Sequence, residues 1–302
     1  MTDMEFESII HGENIVKKYK GFELNVPVFD IPKGFATALI GENGAGKTTL
    51  LDILAGIKLD YSGKLQFFGK YDDNDRENDP EVKNRIGYEG TGNYYLPMWT
   101  LKQGREVQKL LFKNFDEAKY MDICNKLAVP DDDGKKISEL SDGNSMKIKL
   151  AGVMARDTDL LILDEPASPL DPLMRDKLCD MIRTYLSERE GERSVLFSTH
   201  NIADMEAVTD YAIVVENGTI VEAGFVEELK EKYILIKGEK KDEEAASKVL
   251  YSMSSSNYGF EGICLAEKLD GLAGLDVVKE IPTLSQICVA VMKKNSKLYG
   301  IN

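Results

Sequence analysis

Eight consecutive residues, Gly41-Glu42-Asn43-Gly44-Ala45-Gly46-Lys47-Thr48, match the pattern GxxxxGK[ST] at every fixed position. Each residue type has a physical task there. Glycines let successive backbone N–H groups turn inward and form a concave anion nest. A helix starting at the loop adds the positive end of its dipole. Lys47 brings a point charge for the β- and γ-phosphates of a nucleotide, and Thr48 offers a hydroxyl to Mg²⁺. Asn43, Ala45 and the following Thr49 complete the candidate nucleotide-binding loop.

A second group carries acid chemistry. Leu160-Leu161-Ile162-Leu163 runs straight into Asp164-Glu165-Pro166. An apolar strand of this kind delivers two carboxylates to the sheet edge where the nucleotide would lie. Asp164 is placed to hold Mg²⁺ through water. Glu165 is placed to polarise an attacking water.

The elements that must position these residues are legible around them. ATALI at 36–40 is short and apolar on both faces, as a buried parallel strand is, and it leads into the glycine loop. TLLDILAGI after the loop has helical spacing. Upstream, IVKKY and FELNVPVF read as strands, broken by Pro27, Pro32 and Gly34. The polar stretch 71–85 reads as a surface loop passing into a short helix. From about 100 to 155 the apolar spacing is helical. Then come a strand at 159–164, a helix at 172–187, a strand at 194–199 and a helix near 201–207. YAIVVENGTIVEAG predicts a hairpin turning at Asn217-Gly218. Alternating strands and helices give an α/β core, and the 100–155 block an inserted helical lobe. Near residue 230 the run KGEKKDEEAASK marks a change of character. A boundary is expected there, with a small appendage closing in a helix over 281–294.

Composition excludes several functions. With 38 Lys+Arg against 52 Asp+Glu the net charge is −14. A nonspecific phosphate-backbone binder needs a basic surface, so no nucleic-acid partner is expected. Cys124, Cys179, Cys264 and Cys288 form no CxxC pair, and buried thiols in a reducing compartment are expected. Two histidines, His11 and His200, are too few for a multi-histidine metal site. No apolar run reaches the ~18 residues that span a bilayer, and MTDMEFESII lacks the basic flank and apolar core of a secretory signal.

At these residues the chain resembles the nucleotide-binding subunit of an ATP-binding-cassette (ABC) transporter. Further pieces arrive in the family's order. Leu140-Ser141-Asp142-Gly143-Asn144 resembles the signature LSGGQ, Ser168-Pro169-Leu170-Asp171 the D-loop, and Ser198-Thr199-His200 the switch-histidine segment. Tyr19 resembles the aromatic that stacks on adenine. The resemblance covers about residues 5–230. It implies a P-loop NTPase core with a mostly parallel sheet, an N-terminal antiparallel β part and an inserted helical subdomain at about 88–155. These lie in an ATPase domain of 1–230, followed by a small C-terminal α+β accessory domain of 231–302. It implies ATP and Mg²⁺ as cofactors, and Glu165 and His200 as catalytic residues. Thr48 and Asp164 would serve the metal. Tyr19, Gly41, Asn43, Gly44, Ala45, Gly46, Lys47, Thr48, Thr49, Ser141, Gly143 and Asp171 would serve the nucleotide. The implied assembly is a head-to-tail dimer with an identical or different nucleotide-binding subunit, attached to a membrane-spanning permease at the inner face of the cell membrane. Asp171 precedes Pro172, so its reading as a helix cap stands beside its reading as a cross-dimer contact.

Two departures stand out. Asp142 occupies the place of the signature's first glycine, and Asn144 that of its glutamine. The Q-loop glutamine expected after Ile86-Gly87-Tyr88 is missing: Thr91 takes its position, with Glu89 a possible substitute. The stretch 93–99, ending at Trp99, is either helical-lobe core or a face for the membrane subunit. The ending PTLSQICVAVMKK resembles the tails of ABC-2-type exporter ATPases. The leading expectation is therefore an exporter motor. The alternatives are a soluble assembly ATPase and a slowly hydrolysing regulatory module. Thr48 and Asp164 are 116 residues apart, too close for the coiled-coil insert of repair-type members.

Overall fold

The computed structural model describes residues 6–90 and 95–295. The chain begins with two long antiparallel strands, β1 (Ser8–Tyr19) and β2 (Phe22–Pro32), followed by β3 (Ala36–Ile40) and α1 (Lys47–Leu54). Then come β4 (Ser62–Phe67), β5 (Tyr71–Asp72), α2 (Asp73–Asn78), α3 (Pro80–Arg85) and β6 (Ile86–Glu89). The helical lobe holds α4 (Leu101–Leu111), α5 (Glu117–Lys126) and α6 (Asp142–Met154). The core resumes with β7 (Leu160–Leu163), α7 (Pro172–Ser187), β8 (Ser194–Thr199), β9 (Tyr211–Glu216), β10 (Thr219–Phe225) and α8 (Val226–Lys232). The remainder is β11 (Tyr233–Glu239), α9 (Glu243–Ala246), β12 (Tyr251–Ser255), β13 (Gly259–Leu265), β14 (Val277–Glu280) and α10 (Leu284–Asn295).

These strands make three sheets. The central one has the order β10-β9-β3-β8-β7-β6. Its neighbours pair in parallel from β9 through β6, and β10 is antiparallel to β9. β3 and β7 are buried at every position because both their faces are covered. The N-terminal sheet, order β2-β1-β4-β5, is antiparallel throughout. The C-terminal sheet, order β12-β13-β11-β14, is also antiparallel. The expected mixture of a mostly parallel core with antiparallel parts at both ends is what the chain adopts.

One apolar core fills the space between α1, the N-terminal sheet and one face of the central sheet; Leu50, Leu51, Ile53 and Leu54 of α1 all enter it. A second, on the opposite face, gathers α5, α6, α7 and α10. The expected closing helix, α10, thus packs into the main core through Leu284, Ile287, Cys288, Ala290 and Val291. All four cysteines are free and buried.

Three local expectations are corrected. Pro27 does not break its strand. β2 lies at the edge of its sheet, where a missing N–H costs no ladder bond. The polar stretch 71–85 holds two short helices rather than one. Asp72 caps the first in a capping box with Asp75, and Asp79 caps the second just before Pro80. The stretch expected to be a helix near 201–207 is two 3-10 turns, Ile202–Asp204 and Glu206–Val208. Its buried residues Ile202, Met205 and Val208 recur every third position, which is the 3-10 repeat. The hairpin turn forms as expected, with Asn217 and Gly218 at φ 49° and 80°.

Candidate active site

The carboxyl ends of β3, β7 and β8 lie side by side, and each delivers one part of the site. From β3 the chain enters the glycine loop. Gly44 and Gly46 have φ of 86° and 109°, the left-handed region in which glycine is unstrained. Gly46 is the N-cap of α1, and no side chain occupies that cap. The first-turn N–H groups of α1 are therefore free of a competing side-chain acceptor, as an anion site requires. Gly41 has another reason to be glycine: a Cβ there would lie 2.3 Å from the Val215 carbonyl oxygen of β9.

Lys47 is 6% exposed. Its Nζ donates to the carbonyl oxygens of Gly41 at 2.7 Å and Glu42 at 3.2 Å, and lies 3.4 Å from Glu165 Oε1. The ammonium is held inside the loop by the loop's own backbone. Thr48 Oγ1 donates to Asp164 Oδ2 at 2.8 Å, so the loop and the acidic strand end meet at that pair. A hydroxyl beside a carboxylate is an all-oxygen set suited to a hard divalent cation. Among the described residues no cluster of three His, Cys, Asp or Glu side chains could form a full cage. Mg²⁺ sites in general take one or two protein oxygens, with phosphates and waters filling the sphere, and the Thr48–Asp164 pair fits that pattern.

Glu165 has φ 50°, a left-handed conformation that costs a non-glycine residue about 1–3 kcal/mol. The strain is held by two contacts. Its N–H donates to Ser198 Oγ at 2.8 Å, and its Oε2 lies 2.8 Å from His200 Nδ1. Ser198 Oγ in turn donates to Asp164 Oδ1. Ser198 therefore bridges both acids. Sequence reasoning placed it in the segment with His200 but gave it no site role. The signal lies in strand register: Leu163 faces Phe197 across β7 and β8, so the next residues, Asp164 and Ser198, are neighbours.

Glu89 at the end of β6 adds a further charge. It is 1% exposed, with Lys149 Nζ of α6 at 3.2 Å from Oε1. Burial pushes its carboxyl up to about 7; Lys149 opposes the shift, and the charge of Asp164 adds to it. Thr91, the other candidate for the missing glutamine's place, lies outside the described residues, as do Gly92, Asn93 and Tyr94. Of the stretch that follows, Trp99 packs with Tyr95, Leu101, Ile137 and Ile148. Leu96 and Met98 are exposed.

The remaining candidates sit on the rim. Tyr19, 42% exposed, ends β1 at the turn into β2, with its ring 6.3 Å from that of Phe22. Phe22 packs against the backbone of Gly46, where an added Cβ would meet its ring at 3.0 Å. Tyr19 thus stands one side chain away from the loop. Asn43 is exposed, and Ala45 is buried with its carbonyl accepting from Gly218 N–H at 3.0 Å. Thr49 lies in the first turn of α1. Ser141 caps α6, accepting from Asn144 N–H at 3.3 Å. Asp142 is exposed in the first turn of that helix, where a negative charge favours the helix dipole. Gly143 adjoins the loop before α7: a Cβ on it would lie 3.0 Å from the Pro169 carbonyl oxygen. Asp171 caps α7 by accepting from Met174 N–H at 3.1 Å. Within one chain, the structure joins Lys47, Thr48, Asp164, Glu165, Ser198 and His200 into one contact network. Among the described contacts, Ser141, Gly143 and Asp171 make none to that network.

Comparison with known proteins bears on the family and the fold. A family model described as "ABC transporter" matches residues 24–168. The uncharacterized ABC transporter ATP-binding protein YxlF of Bacillus subtilis is 31% identical over 230 residues, which are 73% of this chain and 72% of that one. The uncharacterized ABC transporter ATP-binding protein MJ1023 of Methanocaldococcus jannaschii is 33% identical over 238 residues, 75% of this chain and 81% of its own. In fold, the chain is similar to the ATP-binding cassette MJ0796, solved as a dimer in a post-hydrolysis state bound to ADP and Pi. The TM-score is 0.61 at 18% identity, over 72% of this chain and 98% of that one.

Proposed function

We propose, because this chain belongs to the ABC transporter family of ATP-binding proteins, that it is the motor subunit of an exporter and cuts ATP in a seam shared by two cassettes. The carrying observation is the contact network in which Lys47, Thr48, Asp164, Glu165, Ser198 and His200 meet at the ends of β3, β7 and β8.

In this reading the uncapped start of α1 and the backbone of Gly41, Gly44 and Gly46 hold the phosphate chain. Lys47 exchanges its loop carbonyls for β- and γ-phosphate oxygens. Thr48 and Asp164 hold Mg²⁺, which when bound neutralises developing phosphate charge. Glu165 accepts a hydrogen bond from the attacking water and draws off its proton. His200 keeps the Glu165 carboxylate aimed and donates to the γ-phosphate. Tyr19 stacks on the adenine. The phosphate is closed from the other side by Ser141 and Gly143 of a second cassette, with Asp171 reaching across. The separation of these three from the network within one chain supports that division. So does the dimer in which the similar cassette MJ0796 was solved.

The partner on the membrane side is a permease. No described helix is long and apolar enough to cross a membrane. A cleft of about 890 Å³ opens between the end of α1, α2–α3 and α4, lined by Leu59, Leu111 and Phe112 together with the charged Glu77, Lys83 and Lys113. Leu110 beside it is 84% exposed. An amphipathic helix of the permease, apolar on one face and charged on the other, fits such a groove. The ending at 282–294 favours an ABC-2-type exporter. Asp142, a negative charge where a second cassette would meet phosphate, favours slow turnover and keeps a regulatory ATPase as the second reading.

The test is fractionation of native membranes. The chain should be recovered with them, and Leu110→Asp with Leu111→Asp should release it while the purified double variant still binds ATP. Recovery of the unmodified chain away from membranes would overturn the motor reading.

A further inference from the structure

The C-terminal helix touches the segment that carries His200. The five N–H groups from Thr283 to Ile287, at the start of α10, can each be accounted for. Thr283 and Gln286 form a reciprocal cap: Gln286 N–H donates to Thr283 Oγ1 at 3.2 Å, and Thr283 N–H to Gln286 Oε1 at 2.9 Å. Ile287 N–H donates to the Thr283 carbonyl at 3.1 Å. The two left over, on Leu284 and Ser285, donate to the carboxylate of Glu206, to Oε1 at 2.9 Å and Oε2 at 3.4 Å. Glu206 lies 78 residues earlier in the chain, in the second 3-10 turn after His200. An anionic side chain at a helix N-terminus meets both its dipole and its unpaired donors.

The segment needs such a hold. From His200 to Val208 it has no α-helix and no strand. Its own hydrogen bonds are a few 3-10 contacts such as Met205 N–H to the Ile202 carbonyl at 2.9 Å and Val208 N–H to the Met205 carbonyl at 3.1 Å. What fixes it is what it packs on. Ile202, Met205 and Val208 lie in one core with Leu284, Ile287, Cys288 and Val291 of α10. On the other side, Arg175 Nη1 pairs with Asp204 at 2.6 Å. His200 itself is exposed, and among the described contacts its ring meets the protein at Glu165.

We infer that Glu206 is a positioning residue for His200: by gripping the start of α10, it fixes the segment that aims the histidine at Glu165. On this account the C-terminal helix is a working part of the ATPase site rather than an ornament of the appendage. The inference rests on the role given to His200 above, and the experiment separates the two. A residue that acts through another is silent once that other is gone.

The experiment is a double-mutant cycle in the full chain, read as kcat and KM for MgATP, with the thermal midpoint recorded for each variant. Glu206→Gln should lower kcat about tenfold with KM within about twofold, because binding groups on the loop are untouched. Glu206→Asp, which keeps the charge, should recover part of the loss. In a His200→Ala background, Glu206→Gln should change the residual turnover by less than about twofold. An equal loss in both backgrounds would overturn the inference, since a general structural role predicts that. So would unchanged turnover of Glu206→Gln in a chain whose His200→Ala variant is inactive, and that result would leave the role of His200 standing. If Glu206→Gln does not fold, the same cycle is run with Glu206→Asp and judged by the same two comparisons. Normal turnover of His200→Ala would overturn the role of His200, and this inference with it.

Discussion

Replacing Lys47 by alanine removes a cation that the loop has already positioned. Its Nζ sits 2.7 Å from the Gly41 carbonyl and 3.2 Å from that of Glu42, in a side chain 6% exposed. Little ordering remains to be done when phosphate arrives, so most of the interaction appears as affinity. A hydrogen bond to a charged group contributes about 1.5–3 kcal/mol. With the doubly ionic bonds to phosphate oxygens at the upper end of that range and the ammonium–carbonyl bonds given up at its lower end, two of each leave a net of about 3 kcal/mol. That corresponds to roughly 150-fold in Kd. The cost to the empty fold is the buried Gly41 carbonyl left without its partner, about 1–3 kcal/mol. Glu42 is exposed and can turn to water, and Glu165 keeps its bond to His200. Titration calorimetry with ATP and Mg²⁺ should therefore show a Kd raised about a hundredfold, with a thermal midpoint shifted by only a few degrees. A change in Kd below about fivefold, with the fold intact, would refute the reasoning.

Two glycines of the same loop should answer differently to alanine. Gly41→Ala puts a Cβ 2.3 Å from the Val215 carbonyl and 3.2 Å from Ala45 Cβ, neither of which can move cheaply. A loss of about 1–3 kcal/mol in urea unfolding is expected, with weakened ATP binding. Gly44→Ala meets nothing within 4 Å and suffers only from φ 86°, a cost of about 1–2 kcal/mol. Equal stability of wild type and Gly41→Ala would contradict the geometry. Glu89 gives a pH dependence. Its folded carboxyl is raised from the usual 4.5 to about 7, so the folded state binds a proton that the unfolded state has released. Stability from this group is full below pH 4.5 and declines as pH rises to about 7, by up to about 3 kcal/mol. Glu89→Gln should flatten that decline in thermal midpoints measured from pH 4.5 to 7.5. A difference between the two proteins that stays constant over the range would rule it out.

What the sequence made legible was whatever is local. The glycine loop, the strand ending in Asp164-Glu165 and the hairpin at Asn217-Gly218 each carry their signal within a dozen residues. The parallel core followed from short apolar strands alternating with helices. What stayed hidden was set by register and by long-range contact. Ser198 meets both acids only because β7 and β8 align Leu163 with Phe197. Glu89 and Lys149 pair across sixty residues of helical lobe, and Glu206 caps a helix 78 residues away. Pro27 looked like a break because a proline does not announce whether its strand will lie at an edge. The 3-10 turns at 202–208 resemble a helix near 201–207 in sequence because a three-residue repeat and the helical repeat differ little over seven residues.

The central claim is that Glu165 drives the cut on an ATP molecule held between two cassettes. The direct measurement is the fate of ATP bound to Glu165→Gln in Mg²⁺, followed by labelled nucleotide and by mass on a light-scattering column. The account predicts uncut ATP trapped in a species holding two cassettes, while wild type yields ADP and separates. ATP cleaved by Glu165→Gln at the wild-type rate would contradict it.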